Sequence, residues 1–259
     1  MTAPTLNWII EGQGPTVVLS HALGCDLSMW DGVAAVLTAN YTVLRYDARG
    51  HGASDCPPGP YTMAMLADDA AALIRAQVKG PVHFVGLSMG GMTGQALAAA
   101  HPELVRSLTV ANAAAYYDEA ARAGWSTRVE TVMAKGVASI ADGAMQRWFT
   151  PEFRADENGG AARVATLRAK LEKIAPAPYA AACQAVGAID FRESNPRIAC
   201  PTLVIAGSRD EATPPALSQA IADAIQGAQL KSLPAAHLSA VEQPAAFAKL
   251  LEVFFASVQ

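Results

Sequence analysis

In the stretch VGLSMGGMTGQ, Gly86 and Gly90 flank Ser88 at the point where an apolar run stops and an alanine-rich run starts. Two glycines around one serine have two uses. They let a helix pack closely on a sheet, or they hold a nucleophile at a sharp strand-to-helix corner, the G-x-S-x-G elbow. A serine hydroxyl is a poor nucleophile until a base takes its proton, and the base needs an acid to orient it. His237, in LPAAHLSAVEQP, and Asp210, in VIAGSRDEATPP, supply one of each, with Glu211 as a rival acid one residue on. Attack on an ester carbonyl creates an oxyanion that calls for preset donors. Backbone N–H groups serve: that of Met89, directly after the serine, and that of Leu23, in the loop after the apolar run at 16–20. Losing one donor of this kind costs about 3–4 kcal/mol of barrier.

The remaining histidines are weaker candidates for the base. His101 precedes Pro102 at a helix end, where it can bond the last carbonyls. His83 lies within a strand and reads as core. His21 opens the loop after 16–20 and reads as a brace for it, while His51, in YDARGHGAS, stays open as a substrate contact.

The elements that must position these groups alternate along the chain. Strand-like runs at 16–21, 41–47, 81–87 and 104–112 are separated by helical patterns near 29–39, 62–78 and 89–100. The alternation resumes with a strand at 201–207, a helix near 214–225, a strand at 228–234 and a final helix after Glu242. Strands that are apolar without alternation, separated by helices, predict an α/β fold: a mostly parallel sheet covered by helices on both faces. Ser88, Asp210 and His237 then all fall at carboxyl ends of strands, where such sheets place their sites. The stretch 115–190 is helical in pattern, with nine basic and nine acidic side chains, and reads as a helical cap inserted into a core of 1–114 and 191–259. Trp125 and Trp148 of that stretch are candidate pocket walls, and Arg128, Arg147 and Arg154 candidate carboxylate anchors.

Composition narrows the function classes. The 259 residues are 52% hydrophobic and 16% charged, which suits a compact globule rather than a disordered chain. A net charge of -4 without a basic run excludes the footprint of a nucleic-acid binder. No apolar stretch reaches membrane-spanning length, and the first basic residue is Arg45, so no charged secretory start is read. The expectation is a cytoplasmic protein with no membrane partner. Cys25, Cys56, Cys183 and Cys200 show no paired spacing and read as reduced thiols. The histidines show no ligand spacing, so neither a metal nor another cofactor is expected, and GQGPTV at Gly12 precedes a strand, the wrong order for a dinucleotide fingerprint.

Several longer stretches, SHALGCDLSMW, LRYDARGHGASDCPPGPYT, RWFTPEF and CPTLVIAGSRDEATPP among them, together resemble the 3-oxoadipate enol-lactonases of the β-ketoadipate pathway, within the α/β-hydrolase superfamily. The resemblance covers most of the chain. It implies an α/β-hydrolase core with a helical lid, no cofactor, and hydrolysis of a small anionic enol-lactone to 3-oxoadipate. By resemblance, the Ser-His-Asp triad carries over onto Ser88, His237 and Asp210. A broad carboxylesterase or a perhydrolase-type relative with the same triad is the alternative. The chain departs from the family where the loop that commonly reads Asn-Ser-Leu-Gly has His21-Ala22-Leu23-Gly24, and its N-terminus looks short by one edge strand.

Overall fold

The computed structural model describes residues 4–258. Seven strands form one sheet among the described residues: β1 (Trp8–Gly12), β2 (Thr16–Ser20), β3 (Thr42–Tyr46), β4 (Val82–Leu87), β5 (Val105–Ala111), β6 (Thr202–Gly207) and β7 (Gln229–Leu233). Their spatial order is β1-β3-β2-β4-β5-β6-β7, and every pairing is parallel except β1 with β3. All residues of β4 and β6 are buried, as strands covered on both faces must be.

The helices of this frame are α1 (Asp31–Leu37), α2 (Met63–Gln77) and α3 (Met89–Ala100), and beyond β6 α9 (Pro215–Ala224), α10 (Ser239–Glu242) and α11 (Pro244–Ser257). Helix α1 packs with α11, sealed by an edge-on contact of Trp30 and Phe247 at 5.7 Å, while α2 packs with α3. The expected helix over 29–39 divides: Leu27–Trp30 is a 3-10 turn capped by Asp26, and α1 starts only at Asp31.

Strand β1 did not emerge from the sequence pattern. All five of its residues are exposed, including Trp8, Ile9 and Ile10, so no periodicity marked it; its antiparallel register on β3, Trp8 opposite Tyr46 to Gly12 opposite Thr42, defines it instead. Strand β1 is thus the one antiparallel edge strand among the described residues.

Between β5 and β6 run five α-helices: α4 (Glu119–Lys135), α5 (Ala141–Trp148), α6 (Pro151–Ala155), α7 (Gly160–Glu172) and α8 (Pro176–Gly187). The two ends of this segment meet at an isolated bridge between Tyr116 and Asp190, next to a hydrogen bond from Phe191 N–H to the Ala115 carbonyl at 2.7 Å. The register of the parallel strands brings the loops after β2, β4, β5, β6 and β7 out at a single edge of the sheet.

Candidate active site

Ser88 sits between β4 and α3 with φ 56° and ψ −117°, outside the regions ordinary side chains favour. Such a residue costs about 1–3 kcal/mol and persists only where its surroundings hold it. Here its N–H donates to the Ala111 carbonyl at 2.8 Å and its carbonyl accepts from Met92 N–H at 2.9 Å. The two flanking glycines are the other half of the restraint. A Cβ on Gly86 would lie 2.0 Å from the Gly90 carbonyl oxygen, and a Cβ on Gly90 would lie 2.1 Å from the carbonyl oxygen of Ser20. Close packing and the sharp corner at Ser88 are thus one device, because the tight approach of α3 to β2 and β4 is what forms the corner.

His237 follows β7 and Asp210 follows β6, and the imidazole Nδ1 lies 2.9 Å from Asp210 Oδ2. A carboxylate only accepts, so Nδ1 carries the proton and Nε2 is left as the basic nitrogen. Two donors that sequence reasoning missed also reach Oδ2: Asn112 Nδ2 at 2.9 Å and Thr213 Oγ1 at 2.7 Å. Oδ1 takes the N–H groups of Ala212 and Thr213, at 2.8 and 2.9 Å. Burial works to raise the Asp210 pKa, but the His237 charge and these hydrogen bonds outweigh it and hold the carboxyl below its ordinary value. Glu211, the rival acid, faces the cavity beside Ser88 instead of the imidazole.

The loop after β2 is held by two buried histidines. His21 Nδ1 donates to the Ala22 carbonyl at 2.8 Å, and its Nε2 accepts Ala48 N–H at 2.9 Å. His51 Nδ1 donates to the Arg49 carbonyl at 3.1 Å, and its Nε2 accepts Gly24 N–H at 3.1 Å. Burial pushes both imidazoles down, that of His51 to about 3, so each is a neutral strut with a fixed tautomer. His51 is therefore no lining residue of the cavity at Ser88; it anchors the amide beyond Leu23. Ala22 N–H is turned back onto Met29 Sδ at 3.3 Å. Between these two occupied amides, Leu23 faces the cavity that contains Ser88. Met89 is the first residue of α3, where backbone N–H groups have no acceptor within the helix and the dipole favours negative charge.

The rest of the histidines take structural places. His83 is buried with Nδ1 2.7 Å from Ser107 Oγ and its ring against Phe255. The His101 ring pairs with Asp68 at 2.9 Å and not with the preceding carbonyls; its backbone N–H makes the helix-end bond, to the Leu97 carbonyl at 2.7 Å.

Ser88, His237 and Leu23 open into a cavity of about 490 Å³ whose far wall comes from α4 and α5: Trp125, Arg128, Arg147 and Trp148. Arg154 does not reach it. Arg128 is committed to Tyr179, donating to its hydroxyl at 2.6 and 3.1 Å while its guanidinium lies 5.5 Å over the Trp125 ring. Arg147 is exposed at the mouth of the cavity and makes no ion pair among the described residues; partial desolvation, then the charge of Arg128, lower its pKa. A guanidinium stays protonated nonetheless. A second cavity of about 560 Å³ lies behind the Leu23 loop, but neither Ser88 nor His237 reaches it, and its Lys170 and Asp26 pair with each other at 2.7 Å. Among the described residues no cluster of His, Cys, Asp and Glu is arranged to hold a metal ion.

The cavity wall and the histidine loop are joined directly. Leu238 N–H donates to the Trp148 carbonyl at 3.0 Å, Thr150 N–H to the Glu242 carboxylate at 2.7 Å, and Arg209 pairs with Glu152 at 2.9 Å. The stretch RWFTPEF is therefore fastened to the loops that carry Asp210 and His237.

The family described as alpha/beta hydrolase fold matches residues 15–244. The 3-oxoadipate enol-lactonase 2 of Acinetobacter baylyi is 40% identical over 95% of this chain and 91% of its own length. The 3-oxoadipate enol-lactonase 1 of the same organism is 35% identical over 98% and 94%. The crystal structure of the enol-lactonase from Burkholderia xenovorans superposes with a TM-score of 0.93 at 37% identity, covering 98% of this chain and 97% of the other.

Proposed function

We infer the reaction from membership: the chain belongs to the α/β-hydrolase family and, within it, to the 3-oxoadipate enol-lactonases. It is a hydrolase of a cyclic ester, and its reaction is the opening of 3-oxoadipate enol-lactone to 3-oxoadipate, a step of the β-ketoadipate pathway. The observation that carries this to particular atoms is the single cavity onto which Ser88, His237, Leu23 and Arg147 converge.

In this reading, Ser88 Oγ attacks the lactone carbonyl as His237 Nε2 takes its proton. The Leu23 and Met89 N–H groups hold the oxyanion, and Asp210 holds the imidazolium. Collapse breaks the ring C–O bond, and His237 returns the proton to the departing enol oxygen. The enol then ketonises, which gives the 3-oxo group and draws the ring opening forward. Water, activated by the same imidazole, attacks the acyl-serine and frees the second carboxylate. The helices within 115–190 act as a cap, with Trp125 and Trp148 as apolar walls. Arg147, the guanidinium without an internal partner, meets the substrate carboxylate, with Arg128 beside it. A partly desolvated contact of this kind is worth roughly 1.5–3 kcal/mol. A cytoplasmic place of work is supported by four free cysteines.

The test is direct. The wild type should consume the enol-lactone and release 3-oxoadipate, and a serine-directed phosphonate should label Ser88 alone, one per chain. Full turnover by Ser88→Ala, or labelling of another residue, rejects the assignment.

A further inference from the structure

Where β5 ends, one side chain ties together three loops that the sequence spreads over more than a hundred residues. Asn112 is fully buried and holds φ 47°, a left-handed conformation that asparagine tolerates better than most residues. Its backbone N–H donates to the Ile205 carbonyl of β6 at 2.9 Å. Its side-chain Nδ2 donates to Asp210 Oδ2 at 2.9 Å and to the Ala236 carbonyl at 3.2 Å, and its Oδ1 accepts from Ser239 Oγ at 2.5 Å. The orientation of the amide is fixed by its partners, since a carboxylate and a carbonyl can only accept.

This place demands two donors and one acceptor at the length of a two-carbon side chain. Only asparagine meets the demand. An ionised aspartate offers no donor, a protonated one offers a single O–H, and leucine offers none. The Ala236 bond falls on the residue before His237, and the Ser239 bond falls two residues after it. The amide therefore holds the acid from one side and brackets the base on the other.

We propose that Asn112 is a positioning residue of the reaction: its neutral amide sets the Asp210 carboxylate and the His237 loop in register, and a carboxylate in its place disables them. The proposal rests on the acid and base roles read above. The ionisable groups of this cluster are Asp210 and His237, with Tyr117 near Asp210. A second carboxyl placed here would share a proton with Asp210, because two like charges at hydrogen-bond distance do not both ionise readily.

The test uses Asn112→Asp and Asn112→Gly, both of which accept a left-handed backbone. An activated short-chain ester serves as substrate, so that the result does not depend on the natural lactone. Asn112→Gly should lower kcat by about tenfold to a hundredfold at every pH with KM little changed, the loss of a buried hydrogen bond to a charged group. Asn112→Asp should come nearest to the wild type at acid pH, where the added carboxyl is protonated and its single O–H restores one of the two bonds the amide donated. Its kcat/KM should then fall as pH rises, on a descending limb the wild type lacks. A role confined to folding predicts a lower Tm in both variants with the Asn112→Asp pH profile parallel to that of the wild type. That outcome, or kcat unchanged in both variants, overturns the proposal. Ser88→Ala is measured alongside: if it stays active the triad reading has failed, whereas if it is dead and Asn112→Asp tracks the wild type, only the Asn112 role has failed.

Discussion

Replacing Gly90 by alanine should disable the site from outside the cavity. The added Cβ would stand 2.1 Å from the Ser20 carbonyl oxygen and 2.5 Å from its carbon, both backbone atoms at the end of β2. Ordinary contact begins near 3.4 Å, so at least about 1 Å must be recovered by moving α3 or β2. If α3 yields, Ser88 moves with its first turn. If β2 yields, the loop bearing Leu23 moves. Either way, Ser88 and the Leu23 amide separate, and if they act as proposed a misplacement of about 1 Å can cost on the order of 10²-fold in rate. Overpacking of this kind also costs about 1–3 kcal/mol. In a chain of this size that lowers Tm by roughly 2–12 °C. The control is Gly143→Ala in α5, whose Cβ meets nothing within 4 Å; alanine there should leave kcat alone and add about 0.5–1 kcal/mol of stability. The assay pairs thermal melts with kcat on an activated ester and the rate of phosphonate inactivation. A Gly90→Ala enzyme with kcat within threefold of the wild type would refute the claim that this contact sets the distance between Ser88 and Leu23.

His237→Ala should lose several orders of magnitude in kcat/KM, while His51→Ala, which removes a strut and no reacting group, should lose far less; equal losses would reopen the choice of base. Stability should decline in mild acid. An unfolded histidine binds its proton near pH 6.5. Folded His51 does so only near 3 and His83 near 4, so the unfolded chain holds more protons in between. Their contribution is complete above pH 6.5 and is lost as pH falls below it, by up to about 1.4 kcal/mol per pH unit for each. Urea melts at pH 7, 6 and 5 measure this, and flat stability across the series would contradict neutral burial of these rings.

Much of the fold was legible because the central strands are apolar throughout and their boundaries are marked by glycine, proline or a polar turn. VHFVGL and TLVIAG needed no partner to be recognised. WIIEG was not, because it is exposed along its whole length and owes its form to pairing with β3. Within the site, Ser88, Asp210 and His237 announced themselves by their place after strands. Asn112 and Thr213 did not, since an amide and a hydroxyl occur everywhere and their meaning arises only when loops 98 and 3 residues from them in sequence converge on Asp210. The struts His21 and His51 stood in the right loops, but their tautomers depend on which amides face them. The tie between Thr150 and Glu242, 92 residues apart, left no local signal at all.

The central claim is that this site opens an enol-lactone bearing a carboxylate. The measurement that tests it is the ratio of specificity constants for 3-oxoadipate enol-lactone and for a neutral lactone of the same ring size. A charge-assisted contact at Arg147 worth roughly 1.5–3 kcal/mol predicts an excess of one to two decades for the acid. Parity, or a preference for the neutral ring, would contradict the enol-lactonase reading and leave a serine hydrolase with an apolar pocket.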